Sequence, residues 1–262
     1  MAEMFLADSH CHLTDAPLRE DLPGVLARAA RAGVKWLLVP GYDLCSSRAA
    51  CRLAARHAEL RAAVGLHPAW LKPSLAFSPE ALRQLARLRQ PAAIGEIGLD
   101  FALADFSQSR QLEALEQQLE LAALLDLPVI LHCRRAFEPL YAVLRNFPKS
   151  RGVLHAYGGG PQLAEKFLAL GFYLGFGGNL TRPQARRVRE AALLAPPERI
   201  LLETDAPYIG SRGVVKGASE PRDLPAVALA LAALRNWDPP AVAARTTANF
   251  FRLFGVDEGK EK

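Results

Sequence analysis

The 262-residue sequence holds only four cysteines, Cys11, Cys45, Cys51 and Cys133, and they form no CxxC pair and no zinc-finger spacing. That excludes a disulfide scaffold and a cysteine-built zinc module, and it fits reduced thiols in a cytoplasmic protein. No apolar run approaches the ~18 residues of a membrane span. The longest, around Val227–Leu234, is short and mostly alanine. A secretory leader is not expected, because a β-like run begins at Phe5, where a leader would need a long apolar core. Internal repeats, low-complexity segments and Pro/Gly/Ser-rich linkers are also missing, so one domain over residues 1–262 is expected. Neither sign of charge dominates. The formal net charge of +5 permits a phosphate-rich substrate without demanding one.

What is present is a globular composition, half hydrophobic and 23% charged, over a length that suits an α/β barrel. Short β-like runs alternate with longer helical patterns. The strands read as 5–8, 35–40, 62–66, 92–99, 128–132, 152–155, 172–176 and 200–204. The helices read as 21–32, 46–58, 79–88, 108–125, 137–147, 161–170 and 183–192, with 224–235 and 240–254 closing the chain. The strands are continuous apolar runs, as parallel strands buried on both faces require. Eight such units predict a single (β/α)8 TIM barrel, with an open doubly wound sheet as the rival.

Five of the six histidines fall at strand C-terminal ends, the face where barrels build active sites. His10 and His12 follow strand one, His67 strand three, His132 strand five and His155 strand six. Glu96 lies in GEIGLD on strand four, and Glu203 and Asp205 lie in ETDAP at strand eight. A lone strand-end histidine is most often structural, but this clustering is not a lone histidine. Residues two apart on a strand share a face, so His10 and His12 can bind one ion while Cys11 turns away. The same alternation pairs His132 with Arg134, turns Cys133 toward packing, and puts Glu203 and Asp205 on one face. Imidazoles and carboxylates with little sulfur suit Zn, Mn, Fe or Mg. Six ligands exceed what one tetrahedral ion needs, and Glu96, from a central strand, is the natural bridge between two. His57, on a helix, reads as surface. Asp8, Asp100 and Asp105 read as supports or loop caps.

In this order, DSHCHL, GLHP, GEIGLD, LHCRRA, LHAYGGG and ETDAPY resemble the TatD-related metal-dependent deoxyribonucleases of the amidohydrolase superfamily. The resemblance runs from Asp8 to the TTANFFRLFG segment. It implies a distorted TIM barrel with two divalent metal ions (Mg, Mn or Zn). One ion would be held by His10, His12 and Asp205, the other by His132 and His155, with Glu96 bridging. His67, Arg134 and Glu203 would face the substrate, Glu203 either there or as support, and Asp205, Glu96 and His67 would carry catalysis. Two departures touch substrate choice. The family's H-x-F-S/T-G reads HAYGGG here and lacks the hydroxyl, and its N-x-P reads SEPRDLP, with Ser219 in place of Asn.

The expected function is a 3′-5′ deoxyribonuclease acting on single-stranded DNA or frayed ends, with no membrane and no obligate protein partner. Asp205 would accept a proton from a metal-activated water, and His67 or Arg134 would meet charge on the phosphoryl oxygens. Arg134, Arg135, Arg212, Lys216 and Arg222 are candidate phosphate contacts. No aromatic–basic interleaving marks a stacking platform, though Phe101, Phe106, Tyr157 and Tyr208 fall in mouth-facing loops. The same ligands could serve ester or amide hydrolysis, for example of an aminoacyl–tRNA ester. A non-catalytic barrel is the remaining alternative, and it would have no use for six convergent ligands.

Overall fold

The computed structural model describes residues 5–71, 78–215 and 217–255. Eight parallel strands form one sheet in chain order. They are β1 (Leu6–Asp8), β2 (Val34–Pro40), β3 (Leu60–Val64), β4 (Ala93–Asp100), β5 (Val129–Arg134), β6 (Gly152–Leu154), β7 (Tyr173–Phe176) and β8 (Ile200–Leu202). Helices α1 (Leu22–Arg31), α2 (Leu44–Ala54), α3 (Pro79–Arg89), α4 (Gln108–Leu125), α5 (Phe137–Arg145), α6 (Pro161–Ala169), α7 (Arg186–Leu194) and α8 (Leu224–Arg235) follow the strands in turn, and α9 (Pro239–Phe254) ends the described chain. The expected barrel is the observed one, and the structure rules out the open sheet by closing β8 back on β1.

That closure lies just beyond the two strands. The Ser9 N–H donates to the Leu202 carbonyl at 2.9 Å, the Asp205 N–H to the His10 carbonyl at 2.9 Å, and the His12 N–H to the Ala206 carbonyl at 2.7 Å. Asp8 ties the seam with its side chain, accepting from Thr204 Oγ1 at 2.6 Å, Thr204 N–H at 3.1 Å and His10 N–H at 3.1 Å.

Alternation along the strands divides the core. One set of residues, including Leu37, Val39, Val64, Leu131 and Leu154, packs under the helices, against Val25, Leu82, Leu115 and Leu140. The alternate set, Leu38, Ala63, Ala93, Ile130, Val153 and Leu201, faces inward and meets Phe250, Phe251 and Phe254 of α9. The small side chains of Ala63 and Ala93 leave room for these rings, so α9 plugs one end of the barrel. Each buried phenylalanine contributes roughly 2–3 kcal/mol.

Boundaries differ from the sequence expectation by a few residues, for local reasons. Helix α2 begins at Leu44 because Asp43 caps it, accepting the Ser46 N–H at 2.7 Å. Strand β8 stops at Leu202, because Asp205 adopts a positive φ of 51° and breaks the pleat. The expected alternation of Glu203 and Asp205 on one strand face therefore does not hold.

Strand β4 carries the one irregularity that matters most to function. Its register against β5 shifts between Ile94 and Ile97. Ala93 faces inward and Ile94 outward, so strict alternation would turn Glu96 outward too. The extra residue resets the phase, and Glu96 points into the barrel. Gly98 sits next to this bulge with φ 138°, and a β-carbon there would overlap the His132 carbonyl oxygen. Gly98→Ala is expected to destabilise the fold by about 1–3 kcal/mol or more. Urea denaturation would show a lower midpoint, and an unchanged midpoint would mean the β4–β5 contact is not tight.

Candidate metal centre

All six candidate ligands come together at the C-terminal end of the barrel. Glu96 lies between them with its two oxygens facing different sets. Glu96 Oε2 is 3.4 Å from His10 Nε2 and 3.7 Å from His12 Nε2. Those two nitrogens are 3.1 Å apart, and Asp205 Oδ1 lies 3.7 and 3.3 Å from them. Glu96 Oε1 is 2.8 Å from His155 Nε2 and 3.2 Å from His132 Nδ1, which are 3.3 Å from each other.

These spacings are those of a coordination shell. A cation with ligands at about 2.0–2.1 Å has tetrahedral edges of about 3.3 Å. The first set has five edges between 3.1 and 3.7 Å. The second set is a triangle of 2.8, 3.2 and 3.3 Å edges, a partial shell that leaves vertices open. Three clusters of histidine and carboxylate atoms within 4.8 Å of one another occur here among the described residues.

The electrostatics point the same way. Glu96 and Asp205 are buried, yet the surrounding imidazoles hold both carboxyls below their ordinary values. Two buried carboxylates require positive charge nearby. His10 cannot supply it, because burial pushes it down to about 4. In the absence of a cation the load falls on His155, which Glu96, Glu203 and Asp205 raise to about 10 against the effect of burial. Nδ1 of His10, His12 and His155 has no hydrogen-bond partner. The donor set therefore fits divalent metal.

His67 is different. Its Nδ1 accepts the Ala69 N–H at 3.1 Å, and burial lowers its pKa to about 3. A neutral ring with Nδ1 as acceptor carries its proton on Nε2. That Nε2–H lies 3.4 Å from Glu96 Oε1. His67 is a donor at the cluster's edge, and a protonated nitrogen cannot ligate.

A second layer holds these groups. Asp100 Oδ2 lies 3.3 Å from His132 Nε2, which leaves Nδ1 free to face Glu96. Arg134, largely exposed, lies 3.7 Å from the same carboxylate oxygen. His132 and Arg134 thus share a face, as alternation predicts. Glu203 is fully buried and sits behind His155. It accepts the Ala156 N–H and the Ser9 hydroxyl, with Gly175 and Gly177 making space for it. Of the two expectations for Glu203, this position matches support and not substrate contact, because no part of the carboxylate reaches solvent.

The remaining candidates scatter. Arg222 pairs with Glu220 at 3.4 Å, and neither Arg135 nor Arg212 lines the cavity over the cluster. Lys216 lies outside the described residues. Tyr157 is buried and donates to the Gly160 carbonyl, so it belongs to packing. Ser219 is buried too, 3.3 Å from Asp223. His57 pairs with Glu59 on the surface, and none of the four cysteines joins the cluster.

The sequence gave no warning of an aromatic wall. The cavity over the cluster, about 330 Å³, is also lined by Tyr42, Trp70, Tyr208 and Ile209. Asp15 accepts both tyrosine hydroxyls, from Tyr42 at 2.8 Å and Tyr208 at 2.6 Å. No spacing rule joins residues 15, 42 and 208. Only the GLHPAW stretch, with a tryptophan three residues past His67, hinted at one of them.

A parallel barrel with histidines and carboxylates converging at its strand ends is the architecture of a metal-dependent hydrolase. Residues 7–255 match the TatD related DNase family, and the chain belongs to that family. It is 38% identical over 253 residues to an uncharacterized metal-dependent hydrolase, YjjV, of Escherichia coli K12, covering 95% of this chain and 97% of that one. It is likewise 38% identical over 256 residues to a 3′-5′ ssDNA/RNA exonuclease TatD of Citrobacter rodentium, covering 95% and 97%. The crystal structure of the E. coli YjjV protein superimposes with a TM-score of 0.92 at 36% identity, over 98% of this chain and 100% of the other. No helix among the described residues is long and apolar enough to cross a membrane.

Asp100→Asn is expected to weaken cation binding on the His132 side by about 10- to 100-fold and to spare the His10–His12 side. Metal titration followed by calorimetry would resolve the two steps. Equal weakening of both would show that Asp100 acts on the fold instead.

Proposed function

We propose that this chain is a two-metal hydrolase of DNA phosphodiesters, acting from the 3′ end of single strands or frayed ends. The observation that carries this reading is the division of Glu96, one oxygen toward His10, His12 and Asp205, the other toward His132 and His155. A carboxylate shared in this way holds two cations a few ångströms apart, the arrangement suited to in-line displacement at phosphorus. The TatD exonuclease relative supports the choice of nucleic acid.

Divalent cations in these positions would lower the pKa of water and offset charge on phosphoryl oxygens. The chain's own residues do the rest. Asp205, ionised and beside His12, takes the proton of the attacking water. The P–O bond to the 3′ oxygen of the preceding nucleotide breaks, and a nucleoside 5′-monophosphate leaves. The His67 Nε2–H donates to a phosphoryl oxygen as charge builds on it. Arg134 meets the backbone from the β5 side. Asp100 and Glu203 keep His132 and His155 in place.

Removing one such donor typically costs about 10²–10³ in rate. His67→Ala should therefore lower kcat by that amount and leave the metal content intact. Loss of metal in this variant would make His67 a ligand and contradict its tautomer.

The decisive experiment is hydrolysis of 5′-end-labelled single-stranded DNA by metal-stripped protein, with Mg, Mn or Zn restored and Glu96→Ala in parallel. A metal-dependent ladder shortening from the 3′ end, absent in the variant, is the expected result. No cleavage with any ion would overturn the nuclease reading. Turnover of an aminoacyl ester in its place would assign the same centre to carbonyl chemistry.

A further inference from the structure

The wall of the cavity opposite the cations' ligands is built from rings, and its polar atoms are already engaged. Tyr42 and Tyr208 both give their hydroxyls to Asp15, so neither is left for a ligand. What the wall offers is aromatic surface. Trp70 stacks on Tyr42 with centroids 5.1 Å apart and planes 21° from parallel, while keeping 37% of its surface open and lining the cavity. Tyr208, 48% exposed, stands across His12 at 5.2 Å. A tryptophan held flat by a braced tyrosine, open to a cavity, is a surface prepared for another planar ring.

We propose that Trp70, backed by Tyr42, is the stacking face for the base of the terminal nucleotide. The proposal rests on the phosphodiesterase reading and adds its substrate specificity. A cavity of about 330 Å³ is at the small end for ligand sites and suits one nucleotide rather than a stretch of strand. With the scissile phosphate at Glu96 and His67, the sugar and base extend along the wall formed by Ala69 and Trp70, which follow His67 directly in the chain. Stacking reads a π-face and no donor pattern, so all four bases are accepted. It also requires a base released from its own helix, which selects single-stranded or frayed ends over paired ones.

The test compares two phosphodiesters in the Mg-loaded protein. Thymidine 5′-(4-nitrophenyl phosphate) carries a base, and methyl 4-nitrophenyl phosphate does not. The preference for the first, as a ratio of kcat/KM, should fall about tenfold or more in Trp70→Leu, carried mainly by KM, and be largely kept in Trp70→Phe. A ratio equal in wild type, Trp70→Leu and Trp70→Phe would overturn the stacking role while leaving a phosphodiesterase. If neither ester is hydrolysed by the wild type, the phosphodiesterase reading fails, and binding decides the stacking role by itself. Thymidine 5′-monophosphate should quench tryptophan fluorescence in the wild type and not in Trp70→Phe. Trp36 and Trp237 are separable from this signal, since they pack against Phe251 and Arg235. Quenching that persists unchanged in Trp70→Phe would overturn the proposal.

Discussion

The site depends on how the barrel is shut. Strands β1 and β8 are only three residues long, and their seam is made by the loops that continue them. Asp8 holds that seam by accepting from Thr204 and from the His10 backbone. Burial raises its pKa to about 7, and its hydrogen bonds to Thr204 and His10 oppose that rise. The loops it joins are the ones that carry His10, His12 and Asp205. Closing the fold and assembling the first ligand set are therefore one event, enforced by the same backbone hydrogen bonds.

The second ligand set is attached to the first through Glu96 alone. A buried carboxylate with five imidazoles around it is costly in any ordinary core. Here the bulge in β4 aims it, and the neighbouring rings stabilise its charge. Strain is concentrated in the same region. Arg135, Ala156 and Asp205 all take positive φ directly after β5, β6 and β8. Such conformations persist only where the surroundings over-determine them, and at these strand ends they direct side chains into the cavity.

The sequence made the barrel legible because its strands are uniformly apolar and its helices periodic. The ligands were legible because HxH, GEIGLD, LHCR and ETDAP fall at successive strand ends. Their geometry was less so. Pleat alternation correctly paired His132 with Arg134, which lie on an unbroken strand. It failed for Glu203 and Asp205, where the strand had already ended, and it would have turned Glu96 outward. Nor could it assign His67, whose role follows from a backbone N–H two residues away that fixes its tautomer. Asp15 with Tyr42 and Tyr208 was invisible because their association is made in space, across loops from three different strand ends.

The order of the ligands along the chain has a consequence for synthesis. His10 and Asp205 belong to the first and last units of the barrel, and a ribosome makes them far apart in time. No amino-terminal segment, however well it folds, contains both halves of the first ligand set. A nascent chain therefore remains chemically inert until its eighth strand docks beside the first. Beside the messenger that encodes it, an unfinished copy is harmless, and competence arrives only with the near-complete polypeptide.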